Sequence, residues 1–533
     1  MASLGRASVL LASGTLVSRI LGFVRAAVLV AAIGAMNEGA NAFAIANQLP
    51  NNIYTIIARG ILSAVLVPQI VRANGHADGG KAYINKLFTI ALVVLLLATV
   101  AAMLLAPLLI QLYTSEWTEA QRALGTSMAY WCLPQIFFYG LYALLGEVLN
   151  AKKVFGPFTW APIINNVIAL IGLGFFISIF GIYQTGEGSV ADWTPDRVAL
   201  LGTLTTLGVA AQALILLVWW RRSGLSYRPD FRWRGVGLRS TGKLASWTFG
   251  MVIAGQLAGI VQSRVASIPA DAGFASVFVM SNAWLIFMLP HSIIAVSIGT
   301  AYFTQLSEHA VAGRLHEVRK DVGTSIRTLS LFMVIGTVAI AIAAMPASRI
   351  FTNSATDSFQ MAQVLWAYLV GLVPFAVLFV VQRTFYALGD TRTPFFFTLF
   401  QCTLVVITAL LASLLPLQYI AVGVALGQSV AGIAQAFLAT WLLKRRLGHI
   451  GSRQVLVSLV RFAVASVPAA VVGYLVLLFV GGTRPDSWAL SGVFPAIVAS
   501  SVIGAVTGVV YLGVLALIRT PELAPAVAAI RRR

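Results

Sequence analysis

Residues 87–110 read LFTIALVVLLLATVAAMLLAPLLI, a stretch in which no side chain carries a charge. An α-helix needs about 20 consecutive apolar residues to cross the hydrocarbon core of a bilayer. Inside a membrane every backbone N–H and C=O group must be hydrogen-bonded within the protein, and a helix meets this demand by itself. The stretch therefore predicts a transmembrane helix, and it decides the fold class.

Stretches of similar length and composition follow one another along all 533 residues. Apolar residues make up 59% of the chain and charged residues 10%, whereas soluble domains average about 25% charged residues. We predict an all-α integral membrane protein with fourteen transmembrane helices. They lie at residues 8–33, 40–71, 84–112, 121–150, 157–182, 196–220, 240–266, 274–306, 322–345, 359–388, 394–415, 418–443, 455–481 and 489–518. Pro50, Pro134, Pro290 and Pro374 fall inside these ranges and predict kinks.

The distribution of basic residues predicts the orientation. Lysine and arginine accumulate in the cytoplasmic loops of membrane proteins. If both termini are cytoplasmic, 27 of the 36 basic residues fall on the inner side, four fall in outer loops and five lie within apolar stretches. An odd number of helices would destroy this alternation. We therefore predict a multi-pass membrane protein with both termini on the cytoplasmic side.

The sequence also repeats itself. Residues 150–159 (NAKKVFGPFT) are echoed by residues 387–396 (ALGDTRTPFF), which places Pro157 and Pro394 237 positions apart. Pro50 and Pro290, each preceded by leucine, stand at a similar distance. We predict two homologous six-helix halves (1–225 and 226–450), two appended transmembrane helices (451–519) and a basic cytoplasmic tail (520–533). Parallel halves about a central cavity are typical of alternating-access transporters.

Six ionisable side chains interrupt the apolar stretches. They are Arg19, Arg25, Arg59, Glu147, Arg264 and Arg383. A charge at membrane depth costs about 3 kcal/mol on insertion scales, so such residues usually face a protein-lined cavity. Five of the six are arginines, and a guanidinium binds phosphate oxygens in a bidentate manner without losing its charge. The pattern predicts an anionic ligand. Glu147 is a candidate for ion coupling, and an ion pair with an intramembrane arginine is the structural alternative.

Several classes of function are disfavoured. The sequence contains no P-loop, HExxH, CxxC or dinucleotide-binding motif, so we expect no enzymatic activity and no cofactor beyond a coupling ion of unknown identity. The net charge of +19 is spread over every inner loop, which indicates topology and attraction to anionic lipids rather than nucleic-acid binding. We interpret Cys132, Cys402 and His291 as packing residues.

Several stretches resemble the MurJ (MviN) lipid II flippases of the MOP transporter superfamily. They are residues 18–25 (SRILGFVR), 41–51, 66–68, 149–162 and 386–394 (YALGDTRTP). The resemblance covers essentially the whole chain and implies fourteen helices. It also implies export of an undecaprenyl-diphosphate-linked peptidoglycan precursor, lipid II, from the inner to the outer leaflet of a bacterial cytoplasmic membrane. In the family's pattern the arginines that match Arg19 and Arg25 line a central cavity, and we predict that Arg59 and Arg264 add charge to it.

The chain departs from the family's pattern at several positions. Asn41 stands where an aspartate usually opens the second helix, Tyr54 and Thr55 replace an arginine pair, and Trp284 and Leu285 replace an Asp-Arg pair. The seventh, eleventh and twelfth predicted helices lack carboxylates, which puts the sodium site of some relatives in doubt. By resemblance the appended helices form a groove for the isoprenoid tail, and plain lipid-facing helices are the alternative.

Two other functions stay open at this point. One is another MOP-type carrier, of a polyprenyl-linked oligosaccharide or a drug, although a cavity for cationic drugs would favour carboxylates over arginines. The other is a non-transporting membrane scaffold that recruits cell-wall synthesis or division proteins through its basic inner loops. The partners we predict are lipid II, anionic membrane lipids and, for the scaffold, such cell-wall or division proteins. We predict no nucleic acid.

Overall fold

A computed structural model describes residues 2–58, 81–152, 154, 156–224, 226–231 and 242–523. Every regular element in these residues is helical, which confirms the predicted all-α class. The chain divides into two compact units, Met1–Ser267 and Ile268–Arg533. Arg59 and Lys153 lie outside the described residues, and so does most of the basic tail.

The first unit contains nine α-helices in its described part. They are α1 (Ala2–Ile33), α2 (Glu38–Ile57), α3 (Lys81–Leu104), α4 (Ala106–Tyr113), α5 (Glu119–Cys132), α6 (Gln135–Ala151), α7 (Gly156–Phe180), α8 (Pro195–Arg222) and α9 (Gly242–Ala266). Helix α1 packs on α7, α7 packs on α8, and α2 packs on α5 and α6. Helix α9 contacts α2 and α4 of the first unit. The predicted boundary at residue 225 assigns α9 to the second half. The predicted boundaries rest on sequence repetition and stay a prediction.

The described part of the second unit has ten α-helices and one π-helical turn. They are α10 (Val277–Pro290), the turn His291–Ala295, α11 (Val296–Val311), α12 (Leu315–Ile342), α13 (Ala344–Arg349), α14 (Ala355–Leu369), α15 (Leu372–Ala387), α16 (Arg392–Ala412), α17 (Leu417–Leu447), α18 (Ser452–Phe479) and α19 (Val493–Leu517). Helix α16 packs on α17, and α12 contacts α15, α18 and α19.

The number of spans differs from the predicted fourteen. Among the described residues, twelve helices are long and apolar enough to cross a membrane. Helices α14 and α15 meet at an angle of 40°, and if they are counted together as one span the number is 13. The difference falls on the second predicted helix. Its described part, α2, carries five amide side chains: Asn41, Asn47, Gln48, Asn51 and Asn52. Its predicted range, 40–71, continues past residue 58 into residues that are not described.

The helices break where proline or a tight turn removes backbone hydrogen bonds. One break separates α3 from α4 two residues before Pro107, and another separates α5 from α6 at Pro134. Helix α10 ends at Pro290 and continues as the π-helical turn. Helix α15 begins two residues before Pro374, whereas α2 continues through Pro50. Proline lacks an N–H group and clashes with the preceding turn, which accounts for these positions.

The internal repeat is visible in the order of the helices. Helices α5, α6 and α7 begin at Glu119, Gln135 and Gly156, and α14, α15 and α16 begin at Ala355, Leu372 and Arg392. The corresponding starts are 236, 237 and 236 positions apart. The pair α3–α4 is likewise repeated by α12–α13, each a long helix followed by a short one. These spacings agree with the separation found in the sequence.

The signature at residues 386–394 forms a turn held by Asp390. The Thr393 backbone N–H donates to Oδ1 at 2.9 Å and the Thr393 hydroxyl donates to Oδ2 at 2.8 Å, while the Arg446 guanidinium of α17 pairs with the same carboxylate. Burial raises the pKa of this carboxyl, but the bonds from Thr393 and the charge of Arg446 outweigh it, and the pKa is lowered. Gly389 has φ +73°, a conformation that glycine adopts without strain.

Within the second unit the appended helices α18 and α19 pack on α12 and approach each other closely at a glycine. Leu331 of α12 is buried with Phe462, Ala465 and Ala469 of α18 and with Tyr511 and Leu515 of α19. The Tyr511 hydroxyl donates to the Leu331 carbonyl at 3.1 Å. A Cβ atom on Gly473 of α18 would lie 2.3 Å from the Thr507 Oγ1 atom of α19, so glycine permits the close approach. The opposite face of α18 exposes Val464, Val467 and Val471, as a lipid-facing surface does. The predicted tail groove stays a prediction.

Candidate functional site

The SRILGFVR stretch lies in the middle of α1, where it packs on α7. Asn166 of α7 donates through its side-chain N–H to the Ser18 carbonyl at 3.0 Å. A Cβ atom on Gly22 would meet the same Asn166 amide at 3.9 Å. Ser18 and Gly22 therefore form the face of α1 that contacts α7.

The two arginines of the stretch point to different surroundings. Residues six apart on a helix are separated by about 240° in azimuth, because successive residues turn by about 100°. Arg19 is exposed, whereas Arg25 is half-buried and lines a cavity inside the first unit. Both residues belong to one uninterrupted helix, α1, which runs from Ala2 to Ile33. Arg19 is not among the residues that line the Arg25 cavity.

The Arg25 cavity has a volume of about 60 Å³. Its polar lining is contributed by α1, α2, α6 and α8 and comprises Arg25, Asn47, Gln135, Tyr139 and Thr205. The Gln135 side chain donates to the Thr206 hydroxyl at 3.1 Å and accepts from the Tyr139 hydroxyl at 3.3 Å. These bonds fix the polar wall opposite α1. Since a water molecule occupies about 30 Å³ in the liquid, the cavity has room for about two waters.

Among the described residues, no acidic group forms an ion pair with the Arg25 guanidinium. Within the described ranges it makes no ion pair within 4.0 Å and donates no hydrogen bond to a protein acceptor. A guanidinium carries five N–H donors and stays charged at every physiological pH. A half-buried cation that the protein leaves unpaired is suited to an anionic ligand that enters from outside.

Arg264 has a structural partner instead. It lies in the last turn of α9, and its Nη1 atom donates to the Gln111 carbonyl of α4 at 2.8 Å. Three residues later the Ser267 hydroxyl accepts from the Ser115 N–H at 2.9 Å, and the Ser267 carbonyl accepts from the Trp117 indole at 3.1 Å. These bonds attach the end of α9 to the connection between α4 and α5. The predicted substrate role of Arg264 stays a prediction.

Glu147 and Arg383 differ in how far they are shielded. Glu147 of α6 is exposed, and no cation of the described chain lies within 4.0 Å of it, so the ion-pair alternative finds no partner there. Its predicted role in ion coupling stays a prediction. Arg383 of α15 is half-buried, with its guanidinium carbon 4.3 Å from the Phe379 ring centroid and 5.1 Å from that of Phe303. The aromatic faces stabilise this cation inside the second unit.

Sequence reasoning missed the neutral side chains around Arg25. Asn47, Gln135, Tyr139 and Thr205 come from helices distant in sequence, and each one alone resembles an ordinary packing residue. The available signal was weak: Gln135 and Tyr139 are four apart in the first half of α6, where their neighbours are mostly apolar. Trp284, one of the positions at which the chain was expected to depart from the pattern it resembles, packs on Phe287 with ring centroids 4.7 Å apart.

Comparisons with known proteins identify the fold and the family. The solved structure described as "Lipid II flippase MurJ, inward closed conformation" aligns with a TM-score of 0.70 at 19% identity, covering 93% of this chain and 98% of that one. An inward-facing multidrug resistance MATE family transporter of the MOP superfamily aligns with a TM-score of 0.61 at 16% identity, covering 81% and 96%. At these identities the likeness shows the fold alone.

Sequence relatives extend this result. The chain is 25% identical over 442 residues to the probable lipid II flippase MurJ of Rickettsia prowazekii, covering 80% of this chain and 82% of the relative. It is 26% identical over 407 residues to the lipid II flippase MurJ of Burkholderia cenocepacia, covering 74% and 75%. The family model described as "Lipid II flippase MurJ" matches residues 29–498. The matched range begins after Arg25 and includes all the other residues that line the Arg25 cavity. The chain belongs to the MurJ family of lipid II flippases.

Proposed function

We propose that this protein moves lipid II from the inner to the outer leaflet of a bacterial cytoplasmic membrane by alternating access. Membership of the MurJ family supports the substrate and the transport activity. The observation that carries the mechanism is the unpaired Arg25 guanidinium in a polar cavity. In this proposal Arg25 binds the diphosphate of the substrate with paired hydrogen bonds, while the isoprenoid tail stays in lipid.

The size of the cavity supports a cycle of opening and closing. A space of about 60 Å³ holds about two waters and is too small for a diphosphate. The helices around Arg25 therefore have to separate before the head group reaches the guanidinium. In the closed state water and the surrounding amide and hydroxyl groups solvate the charge. Substrate binding replaces this weak solvation by a charge-assisted contact, which favours the open state when lipid II is present.

Depletion of the protein tests the function directly. If it is the flippase, lipid II should accumulate in the inner leaflet of depleted cells while the total pool of precursors is maintained. Labelling of lipid II from the outside of spheroplasts measures the exported fraction. A scaffold for cell-wall enzymes would instead leave the exported fraction unchanged and disturb only later steps. Unchanged export on depletion would therefore reject the transport proposal.

Orientation can be tested by cysteine accessibility. The proposal places both termini inside, so that His316, in the first turn of α12, is cytoplasmic and Thr185, after α7, is outside. Both side chains are exposed, and the native Cys132 and Cys402 are buried, which gives a low background. In intact cells Thr185→Cys should react with a membrane-impermeant maleimide, and His316→Cys should react only after permeabilisation. The reverse pattern would invert the topology.

A further inference from the structure

A second cavity, of about 510 Å³, opens along α5 in the first unit. Its lining consists of Pro107 and Gln111 of α4 and of Glu119, Arg122, Ala123, Thr126, Ser127 and Tyr130 of α5. It is a wide surface groove rather than an enclosed cavity, so a ligand in it would be only partly surrounded by protein. It is separate from the Arg25 cavity, with which it shares no lining residue.

The lining residues of α5 form one polar face of a membrane-spanning helix. Their positions follow the spacing i, i+3, i+4, i+7, i+8 and i+11, which places them on one side of a helix. At 1.5 Å per residue the face is about 16 Å long. Helix α5 belongs to the candidate span Glu119–Asn150. Exposed polar side chains on such a helix are stable where they have a polar partner to face.

Two opposite charges stand unpaired on this face. Glu119 and Arg122 are three residues apart and both are exposed. In the part of the chain that is described, neither side chain makes an ion pair within 4.0 Å, with the other or with a third group. Glu119 in the first turn also stabilises the helix dipole, but this does not account for Arg122. Together they complement a ligand that carries both charges.

The surroundings of the cavity resemble the boundary between lipid head groups and acyl chains. Leu104, Leu105, Leu108 and Leu112 on the neighbouring α3–α4 segment are all exposed. Tyr130 and Trp131, at the other end of the polar face, are exposed as well. The cavity therefore offers polar contacts for a head group and adjacent apolar surface for acyl chains.

We propose that the α5 cavity binds a zwitterionic phospholipid of the outer leaflet that bears a primary ammonium group. Arg122 holds the phosphate and Glu119 holds the ammonium, with the acyl chains along the exposed leucines. The order of the charges fits this lipid, since the ammonium of such a head group extends to the aqueous side of its phosphate. Glu119 lies one turn nearer the start of α5 than Arg122, and that start is the outer end in the proposed orientation. The inference rests on that orientation and not on lipid II transport.

Lipid retention by the purified protein tests the site. The detergent-solubilised protein is exposed to phosphatidylethanolamine, phosphatidylcholine and phosphatidylglycerol with identical acyl chains, and the bound lipid is counted by native mass spectrometry. We expect preferential retention of phosphatidylethanolamine. Arg122→Gln should lower the retention of phosphatidylethanolamine and of phosphatidylglycerol about five-fold, which is the effect of losing one exposed ion pair. Glu119→Gln should lower the retention of phosphatidylethanolamine alone, by a similar factor.

Two matched controls and a charge swap sharpen the test. Glu116→Gln and Arg484→Gln remove exposed charges that do not line the cavity, and both should leave retention unchanged. The double variant Glu119→Arg, Arg122→Glu keeps both charges and reverses their depth, so it should lose the preference for phosphatidylethanolamine. A swapped protein that retains this lipid as well as the native protein would overturn the proposal. Equal retention of the three lipids, or a preference for phosphatidylglycerol, would overturn it too.

Discussion

Replacing Arg25 by alanine should abolish lipid II export, and replacing it by lysine should fail nearly as badly although the charge is kept. A lysine ammonium cannot reproduce the planar, bidentate geometry of a guanidinium on phosphate oxygens. A charge-assisted hydrogen bond contributes about 1.5–3 kcal/mol, so loss of two such bonds in Arg25→Ala should weaken lipid II binding more than about 100-fold. The lysine variant keeps one of the two contacts, and its affinity for lipid II should fall at least about 10-fold. Complementation of a depleted strain and lipid II binding in detergent measure the two effects.

The stability of the same position separates a substrate role from a structural one. Because the guanidinium is half-buried and has no counter-charge in the described residues, it costs folding free energy in the empty protein. Arg25→Met removes the charge and keeps most of the side-chain volume, so its melting temperature should equal or exceed that of the native protein while export is lost. A variant that gains stability and loses activity is typical of a substitution in a functional site.

A control for this experiment comes from the surface. Arg484→Lys alters an exposed arginine in the connection between α18 and α19 and should leave export and melting temperature unchanged. If Arg25→Met exported lipid II normally, Arg25 would be removed from the site. If it unfolded while export per folded molecule stayed intact, Arg25 would be a structural residue. Arg19 would then be the remaining arginine of the signature to carry the diphosphate.

Hydropathy was enough to predict the fold class, because the cost of exposing backbone groups to lipid leaves few alternatives to a helix. Hydropathy could not predict which way individual arginine side chains point. Arg19 and Arg25 belong to one sequence signature, yet Asn166, 148 positions from Ser18, fixes which face of α1 is packed. Arg264 looked like an unpaired membrane charge, since its acceptor is the Gln111 carbonyl, 153 positions away. Contacts of this range leave no local pattern in a sequence.

The helix breaks show a similar division. Pro134 and Pro290 predicted interruptions, and α5 and α10 end beside them, because a missing N–H group acts locally. At Pro50 the helix continues, so a proline by itself does not determine whether a helix in a bundle ends. The polar residues around Arg25 were not predicted as a set because tertiary packing, and not spacing along one helix, brings them together.

Removing the Glu522 carboxylate should release the C-terminal segment from the appended helices. Glu522 follows α19 and is 8% exposed. It accepts a hydrogen bond from the Ser458 hydroxyl of α18 at 2.7 Å and pairs with the Arg327 Nε atom of α12 at 3.2 Å. The Arg461 guanidinium of α18 lies 3.9 Å from the second carboxylate oxygen. One acidic group therefore neutralises two arginines from different helices.

The expected cost follows from this arrangement. Glu522→Ala leaves Arg327 and Arg461 facing each other without a counter-charge. Breaking a fully buried pair costs about 3–5 kcal/mol, and partial exposure of the two arginines reduces this to about 2 kcal/mol. Glu522→Gln keeps an acceptor for the Ser458 hydroxyl and should lower the free energy of unfolding by less. Ser458→Ala removes only the hydrogen bond and should lower it by about 1 kcal/mol. Chemical denaturation in detergent gives the ranking.

Limited proteolysis locates the change within the molecule. Arg519, an exposed residue with φ +48° just before the anchored segment, is a trypsin site that the native contacts restrain. In inside-out vesicles Glu522→Ala should be cut there faster than the native protein, because opening of the segment precedes cleavage. The double variant Glu522→Gln, Arg327→Gln should be cut more slowly than Glu522→Gln alone, since the second change removes the uncompensated cation. Equal cleavage of all four proteins would show that Glu522 contributes nothing to holding the segment on α12 and α18.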